Sequence, residues 1–348
     1  MKLFHLSHTD LDGYSCQLIT KQYFIDPFFY NANYGLEVKL SIKKILKDFE
    51  EFKDEEILFL ISDLNLTVNE SKDLDKAITK LNSEGFNIKF QLLDHHATGK
   101  KSAEKYDWYY LDTTRSAAKI VYSYMCDEYE DFLSKTQTWL SPLIDSVNAI
   151  DIWLDEETKN FEFGKVLLSM ISKAREVNNS LFPDLNRDFR LYLLIEAAKY
   201  LNEEDGNIKL DRDIHSLKKN FLMQDSNDDT IDNLSAKYLV NSLESLKESL
   251  TITYKGHKGL LTYNLGSISI PANAFLRANE GYDFFIDISR KGNSSLRADG
   301  LVDVAYIAQK LGNGGGHVNA SGCKIDDFKE TIDYNEVKKF MQNKLNSI

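Results

Sequence analysis

A chain of 348 residues, 43% hydrophobic and 28% charged, is long enough for two domains with substantial cores and has the composition of a globular protein. Its net charge of −12 argues against gripping long nucleic acid through phosphate contacts, so phosphate chemistry has to rest on local cations, such as metal ions held by clustered carboxylates. Cys16, Cys126 and Cys323 are scattered and form no C-x-x-C pair, which excludes a disulfide framework and a zinc ribbon. With no apolar run approaching about eighteen residues, and an N-terminus that turns polar too early for a secretory signal, the expectation is a cytoplasmic protein away from membranes.

In chain order, "KLFHLSH" (2–8), "EILFLIS" (56–62) and "IKFQLL" (88–93) read as strands, the last two apolar enough to be buried on both faces. "LEVKLSIKKILKDFEEF" (36–52) and "NESKDLDKAITKLNSEG" (69–85) have helical spacing, the second closing at Gly85. The alternation predicts an α/β fold with a parallel sheet and crossover helices. Residues 156–250 read as a helical connector with polar breaks at 202–209 and 224–233. From 251 a smaller α/β domain is expected: a hairpin in "LTITYKGHKGLLTYNLG", a strand at 282–289, a helix at 302–312 and the Gly-rich "GNGGGHVNASG". The expected division is therefore 1–155, 156–250 and 251–348.

All three predicted strands of the first half run into polar residues that can bind metal. His8, Asp10 and Asp12 follow the first, Asp63 the second, and Asp94, His95 and His96 the third. Parallel strands would bring these to one sheet edge, where open α/β sheets bind ligands. Asp151, at the end of "LIDSVNAID", is a fourth candidate, with Asp145 as its competitor. Any single acid after a strand is more often a turn former or helix N-cap, and His5, His215 and His257 read as ordinary satisfied residues. The coincidence after every strand is what favours chemistry. Carboxylates and imidazoles without thiolates suit two ions of Mn²⁺, with Mg²⁺ or Co²⁺ next, sharing a bridging carboxylate. In the second half, Gly314, Gly315 and Gly316 allow close backbone approach to a ligand. His317, Arg290 and Arg297 could hold phosphate beside them.

Together these segments resemble the DHH phosphoesterase superfamily over nearly the whole chain. "HTDLDG", "ISDLN", "LLDHH" and "NAIDIW" look like its four motifs, and "GNGGGHVNASG" like the GGGH signature of the DHH-associated C-terminal domain. The resemblance implies that His8, Asp10 and Asp63 bind one metal, and that Asp12, Asp63, His95 and Asp151 bind the other. It implies that Asp94 orients the ligand histidine His95 and that His96 faces the scissile phosphate. Substrate would be held by Gly314, Gly315, Gly316, His317 and Arg297, with Arg115 and Ser116 reaching in from the loop before a helix. The H-x-D-x-D spacing at His8 departs from the more frequent H-x-x-x-D-x-D and resembles a nanoRNase-like branch. The expected activity is Mn²⁺-dependent hydrolysis of short oligoribonucleotides to 5′-mononucleotides. The alternative is action on a cyclic or linear nucleotide such as cAMP, pApA or pAp. Pyrophosphate hydrolysis and non-catalytic nucleotide sensing are weaker readings, opposed respectively by the GGGH element and by the complete ligand set. A two-lobed cleft would exclude long strands. Oligomeric state stays open, with a homodimer as one arrangement.

Overall fold

The computed structural model describes residues 1–225, 227–331 and 333–348, so Ser226, inside the expected polar break at 224–233, lies outside the described residues. The chain forms two compact units. One comprises Met1–Ala174 and Arg187–Leu217, the other Arg175–Asn186 and Lys218–Ile348. The expected connector of 156–250 thus divides between the two. Amphipathic helical spacing identifies helices that need a core without saying which core takes them.

In the first unit, β1 (Lys2–Ser7), β2 (Phe28–Asn31), β3 (Glu56–Ser62), β4 (Asn87–Asp94) and β5 (Tyr109–Leu111) form one sheet in the order β2-β1-β3-β4-β5. Every pairing is parallel. The associated helices are α1 (Leu11–Lys21), α2 (Leu36–Asp48), α3 (Val68–Ser83), α4 (Lys100–Ala103), α5 (Ala117–Glu128), α6 (Phe132–Thr136), α7 (Leu140–Asp151) and α8 (Thr158–Ser172). On one face of the sheet Phe4, Leu6, Phe59 and Ile61 pack with Val38 and Ile45 of α2 and Leu74 and Ile78 of α3. Each such fully buried large side chain contributes about 1.5–3 kcal/mol. His5 points to the other face. It is buried between Thr20 Oγ1 of α1 (2.9 Å from Nδ1) and Ser62 Oγ of β3 (2.7 Å from Nε2), a satisfied core histidine as expected. In this strand order the chain reverses direction of winding between β1 and β3, the switch point at which doubly wound sheets bind ligands.

Helices α9 (Pro183–Ala198) and α10 (Gly206–Leu222) follow, and then, in the second unit, α11 (Ile231–Leu243) and α12 (Lys247–Leu250). Its sheet runs β10-β11-β9-β8-β7-β6, with β6 (Thr251–Tyr254), β7 (His257–Tyr263), β8 (Phe284–Ile288), β9 (Asn293–Ala298), β10 (Gly315–His317) and β11 (Ala320–Lys324). Helices α13 (Ser269–Ala278), α14 (Val304–Gly312) and α15 (Tyr334–Asn346) complete it. Leu261, Ile286 and Leu296 of the sheet share a core with Ile307 and Leu311 of α14 and Val337 and Met341 of α15. The Gly-rich segment is not an open loop: Gly315–His317 pair antiparallel with Ala320–Gly322 as an edge hairpin.

Candidate functional site

The site assembles beyond the carboxyl ends of β1, β3 and β4. Among the described residues, three groups of possible metal ligands have their donor atoms within 4.8 Å of one another: His8, Asp10 and Asp63; Asp12, His95 and Asp151; and Asp63, His95 and His96. The residues that follow three separate strands are thus brought together, and the end of α7 adds Asp151.

Asp10 has two roles at once. Its Oδ1 accepts from Gly13 N (3.0 Å), capping α1, while Oδ2 lies 2.7 Å from His8 Nδ1. Burial would raise its pKa, but the His8 and Gly13 hydrogen bonds prevail and hold it at about 2. Gly13 is required here for space, because a Cβ at this position would run into the His8 carbonyl. Asp12, buried at the start of α1, accepts from Ala117 N (2.8 Å) and Ala118 N (2.9 Å), so its carboxylate sits on the N-terminus of α5. Desolvation, then the neighbouring Asp10 charge, push Asp12 up to about 7 despite those bonds. Desolvation, then the charges of Asp12 and Asp10, push Asp151 up to about 9.

Asp63 is the centre of the arrangement. It is 2% exposed and its backbone lies in the left-handed region at φ +55°, a conformation uncommon outside glycine and concentrated at functional sites. Its Oδ1 is 3.3 Å from His95 Nε2, and its Oδ2 is 3.7 Å from His8 Nδ1. That Oδ2 is buried without a hydrogen-bond partner, and burial together with Asp12 and Asp10 drives the Asp63 pKa well up. A buried carboxylate set between two imidazoles and among three more carboxylates, with one oxygen lacking any donor, is what a divalent cation would satisfy. The donor set therefore fits metal ions. His95 is held by burial, and next by the nearby His96, toward the neutral form that ligation needs. Its Nδ1 lies 3.6 Å from Asp151 Oδ2.

Two expectations need correction. Asp94 orients His96 rather than His95: its Oδ1 accepts from His96 Nδ1 (2.8 Å) and His96 N (3.2 Å), and its Oδ2 from Tyr109 O–H (2.7 Å). An acid two residues before a histidine can turn back on it, whereas the adjacent histidine follows the strand the opposite way. Burial lowers the His96 pKa, but the Asp94 hydrogen bond and charge outweigh it and the net shift is upward. Arg115 is the second correction. Its guanidinium is taken by Asp112 (2.7 Å), Ser123 (3.1 Å) and Tyr110 (3.1 Å), beside a cavity of about 470 Å³ that Gln91 and Tyr124 also line. Ser116 caps α5 instead of facing a ligand. Asp145 forms an ion pair with Lys119, which leaves Asp151 as the acid of its helix that joins the cluster.

In the second unit, Ala320 is in register with both Arg297 and His317, so the two side chains rise from the same face, two strands apart. Arg297 donates to Leu296 O and Ser269 Oγ (2.8 Å each), and His317 is exposed. Arg290 lies at the other end of β9, 3.8 Å from Glu330. Gly314 approaches Cys323 too closely to admit a side chain, while Gly315 stands open. Sequence reasoning missed Tyr34, whose hydroxyl is 3.0 Å from His96 Nε2, and Tyr109; nothing distinguishes either among eighteen tyrosines.

No protein-family model matches the chain. A 3′,5′-cyclic-nucleotide phosphodiesterase of Helicobacter pylori is 44% identical over 347 residues, spanning 100% of this chain and 99% of its own. The chain belongs to the DHH phosphoesterase superfamily. It is an enzyme of phosphodiester hydrolysis. A crystal structure of an uncharacterized protein from Helicobacter pylori G27 shares this fold, with a TM-score of 0.94 and 44% identity over 100% of both chains. Oligoribonuclease NrnB of Bacillus subtilis is 24% identical over 337 residues, covering 93% of this chain and 73% of its own length. No helix among the described residues is long and apolar enough to cross a membrane.

Proposed function

We propose that the chain hydrolyses 3′,5′-cyclic nucleotides to mononucleotides, using two divalent ions, Mn²⁺ by preference. The observation that carries the reading is the pair of ligand groups around Asp63, in a chain that matches a 3′,5′-cyclic-nucleotide phosphodiesterase end to end. His8, Asp10 and Asp63 would hold one ion; Asp12, Asp63, His95 and Asp151 the other. The oxygen-rich, thiolate-free set with two imidazoles suits Mn²⁺ over Zn²⁺. When bound, such ions offset phosphate charge and acidify water.

The chain's own groups do the rest. Asp63, buried and conformationally constrained, is fixed where both ligand groups meet. Asp94, itself tied by Tyr109, holds His96 Nδ1 and so directs Nε2 toward a non-bridging oxygen of the phosphodiester. The upward shift of the His96 pKa favours its donating from Nε2 to that oxygen. In the second unit, Arg297, His317 and the open backbone at Gly315 are the groups whose chemistry suits a phosphate or sugar.

The similarity to NrnB supports a second reading, cleavage of short oligoribonucleotides, and the two stand in reverse order from the sequence reading because the cyclic-nucleotide enzyme matches at nearly twice the identity. The test is turnover with Mn²⁺ of 3′,5′-cAMP, RNA dimers to pentamers, pApA, pAp and pyrophosphate. A kcat/KM for cAMP at least tenfold above that for diribonucleotides is expected. Turnover of oligoribonucleotides alone would replace the first reading with the second. No difference between wild type and Asp63→Ala on any of them would end both.

A further inference from the structure

The first turn of α5 is where two acid-bearing helices meet, and its amide donors are shared between them. Ser116 N donates to Asn148 Oδ1 of α7 (2.8 Å). Ala117 N and Ala118 N donate to the Asp12 carboxylate at the start of α1 (2.8 and 2.9 Å), and Lys119 N donates to Ser116 Oγ (3.3 Å). A backbone N–H can only donate, so the Asn148 amide is fixed with its oxygen toward α5. Asp145, three residues before Asn148, pairs with Lys119, three residues after Ser116. Residues three apart share a helix face, so α5 and α7 run antiparallel along a ladder of polar rungs, 119 with 145 and 116 with 148. The next residue of that face on α7 is Asp151, whose carboxylate meets that of Asp12 at the start of α5.

Asp151 needs such a fixture. It is the last residue of α7, where the carbonyl end of the helix disfavours a carboxylate, and both it and Asp12 lie against His95 (3.6 and 3.8 Å). Like charges on α1 and α7 push the two helices apart, and the rungs to α5 hold them. Asparagine makes its rung without adding an anion beside Asp10, Asp12, Asp63 and Asp151. We infer that Asn148 is the positioning residue that sets Asp151 against Asp12 and His95, and that it thereby governs how tightly the second of the two ions is held, while touching neither ion nor substrate. The inference rests on the proposed pair of divalent ions. His8, Asp10 and Asp63 follow β1 and β3 and owe nothing to α7, so the ion they would hold is indifferent to residue 148.

Asn148→Ala removes the acceptor and leaves Ser116 N without its partner. Titration with Mn²⁺ alone, followed by calorimetry and by electron paramagnetic resonance, separates the two ions, because a carboxylate-bridged Mn²⁺ pair gives a coupled spectrum that a single ion does not. Wild type is expected to take up two ions and show the coupled spectrum. In Asn148→Ala the first ion binds within about twofold of wild type and the second about tenfold more weakly, the scale on which groups that orient a ligand act. Asn148→Asp keeps an acceptor at the same reach and brings the second ion back to wild-type affinity or tighter. A second ion held as tightly by Asn148→Ala as by wild type would overturn the inference. So would an Asn148→Asp variant as weak as Asn148→Ala, or a loss shared equally by both ions. If Asn148→Ala does not fold, Asn148→Leu, which fills the space without an acceptor, is held to the same outcomes. A wild type that binds fewer than two ions would sink the two-ion reading and this inference with it, a failure visible before any variant is made.

Discussion

His5 links the packing of β1 to pH in a way that can be measured apart from catalysis. Burial, and after it the Arg187 charge, holds its imidazole down at about 3 from an ordinary 6.5. The unfolded chain takes up this proton near pH 6.5 and the folded chain only near pH 3, so the folded state binds fewer protons throughout the interval. Stability from His5 is fully present above 6.5 and is lost as pH falls. Each full pH unit is worth about 1.4 kcal/mol and the first is only partly realised at 6.5, so moving from 6.5 to 4.5 removes about 2 kcal/mol. With a urea dependence of roughly 2–3 kcal/mol per molar, the unfolding midpoint moves down by about 1 M. The perturbation is His5→Gln, which keeps a polar reach toward Ser62 Oγ but does not titrate. Urea denaturation of both proteins at several pH values, with a chelator present, isolates the term, because every other group contributes equally to the two. The variant is expected to lose about 1 M less across the interval. Parallel midpoint-versus-pH curves for wild type and variant would refute the reasoning.

Asp63→Asn is expected to abolish the Mn²⁺-dependent rise in Tm and to lower turnover on the order of a thousand-fold, while raising the Tm of the metal-free protein at pH 8, since it removes a buried, unpartnered carboxylate; thermal melts with and without chelator check both signs. Asp12 and Asp151, pushed up to about 7 and about 9, keep protons in the metal-free fold that the unfolded chain has already released. Metal-free Tm should therefore fall from pH 6.5 to 9, a loss that Mn²⁺ reverses; a flat profile would contradict it. Gly13→Ala drives a methyl into the His8 carbonyl and should cost about 1–3 kcal/mol, with activity lost alongside, measured by urea midpoint and turnover. Tyr109→Phe frees Asp94 Oδ2 and should lower kcat about tenfold with Mn²⁺ binding intact, as seen in single-turnover rates and metal titration.

The cluster was legible because each part lies immediately after an apolar run, where strand direction decides which edge it reaches. His8, Asp10, Asp12, Asp63 and His95 need only parallel topology to meet, while Asp151 arrives on the end of α7. What was not legible depends on bond direction rather than position. That Asp94 serves His96 is settled by a turn of two residues, and that Arg115 serves Asp112, Ser123 and Tyr110 is settled by its rotamer. The short edge strands β2 and β5, of four and three residues, carry too little pattern to read. Tyr34 and Tyr109 are informative only through the groups their hydroxyls reach.

The way the chain is shared between its two units constrains how it can be taken apart. It leaves the first unit after Ala174, returns at Arg187 and leaves again after Leu217, with the last two transitions inside α9 and α10. A truncation at 155 or 250, natural from the linear pattern, would strip the first unit of α8 and of residues 187–217, or the second of residues 175–186 and 218–250. Neither unit can be expressed as one uninterrupted stretch of gene. Dissection by cloning calls for a circular permutation or a stitched junction across 174 and 187, and a protease cut in any single loop will leave at least one fragment that holds parts of both units.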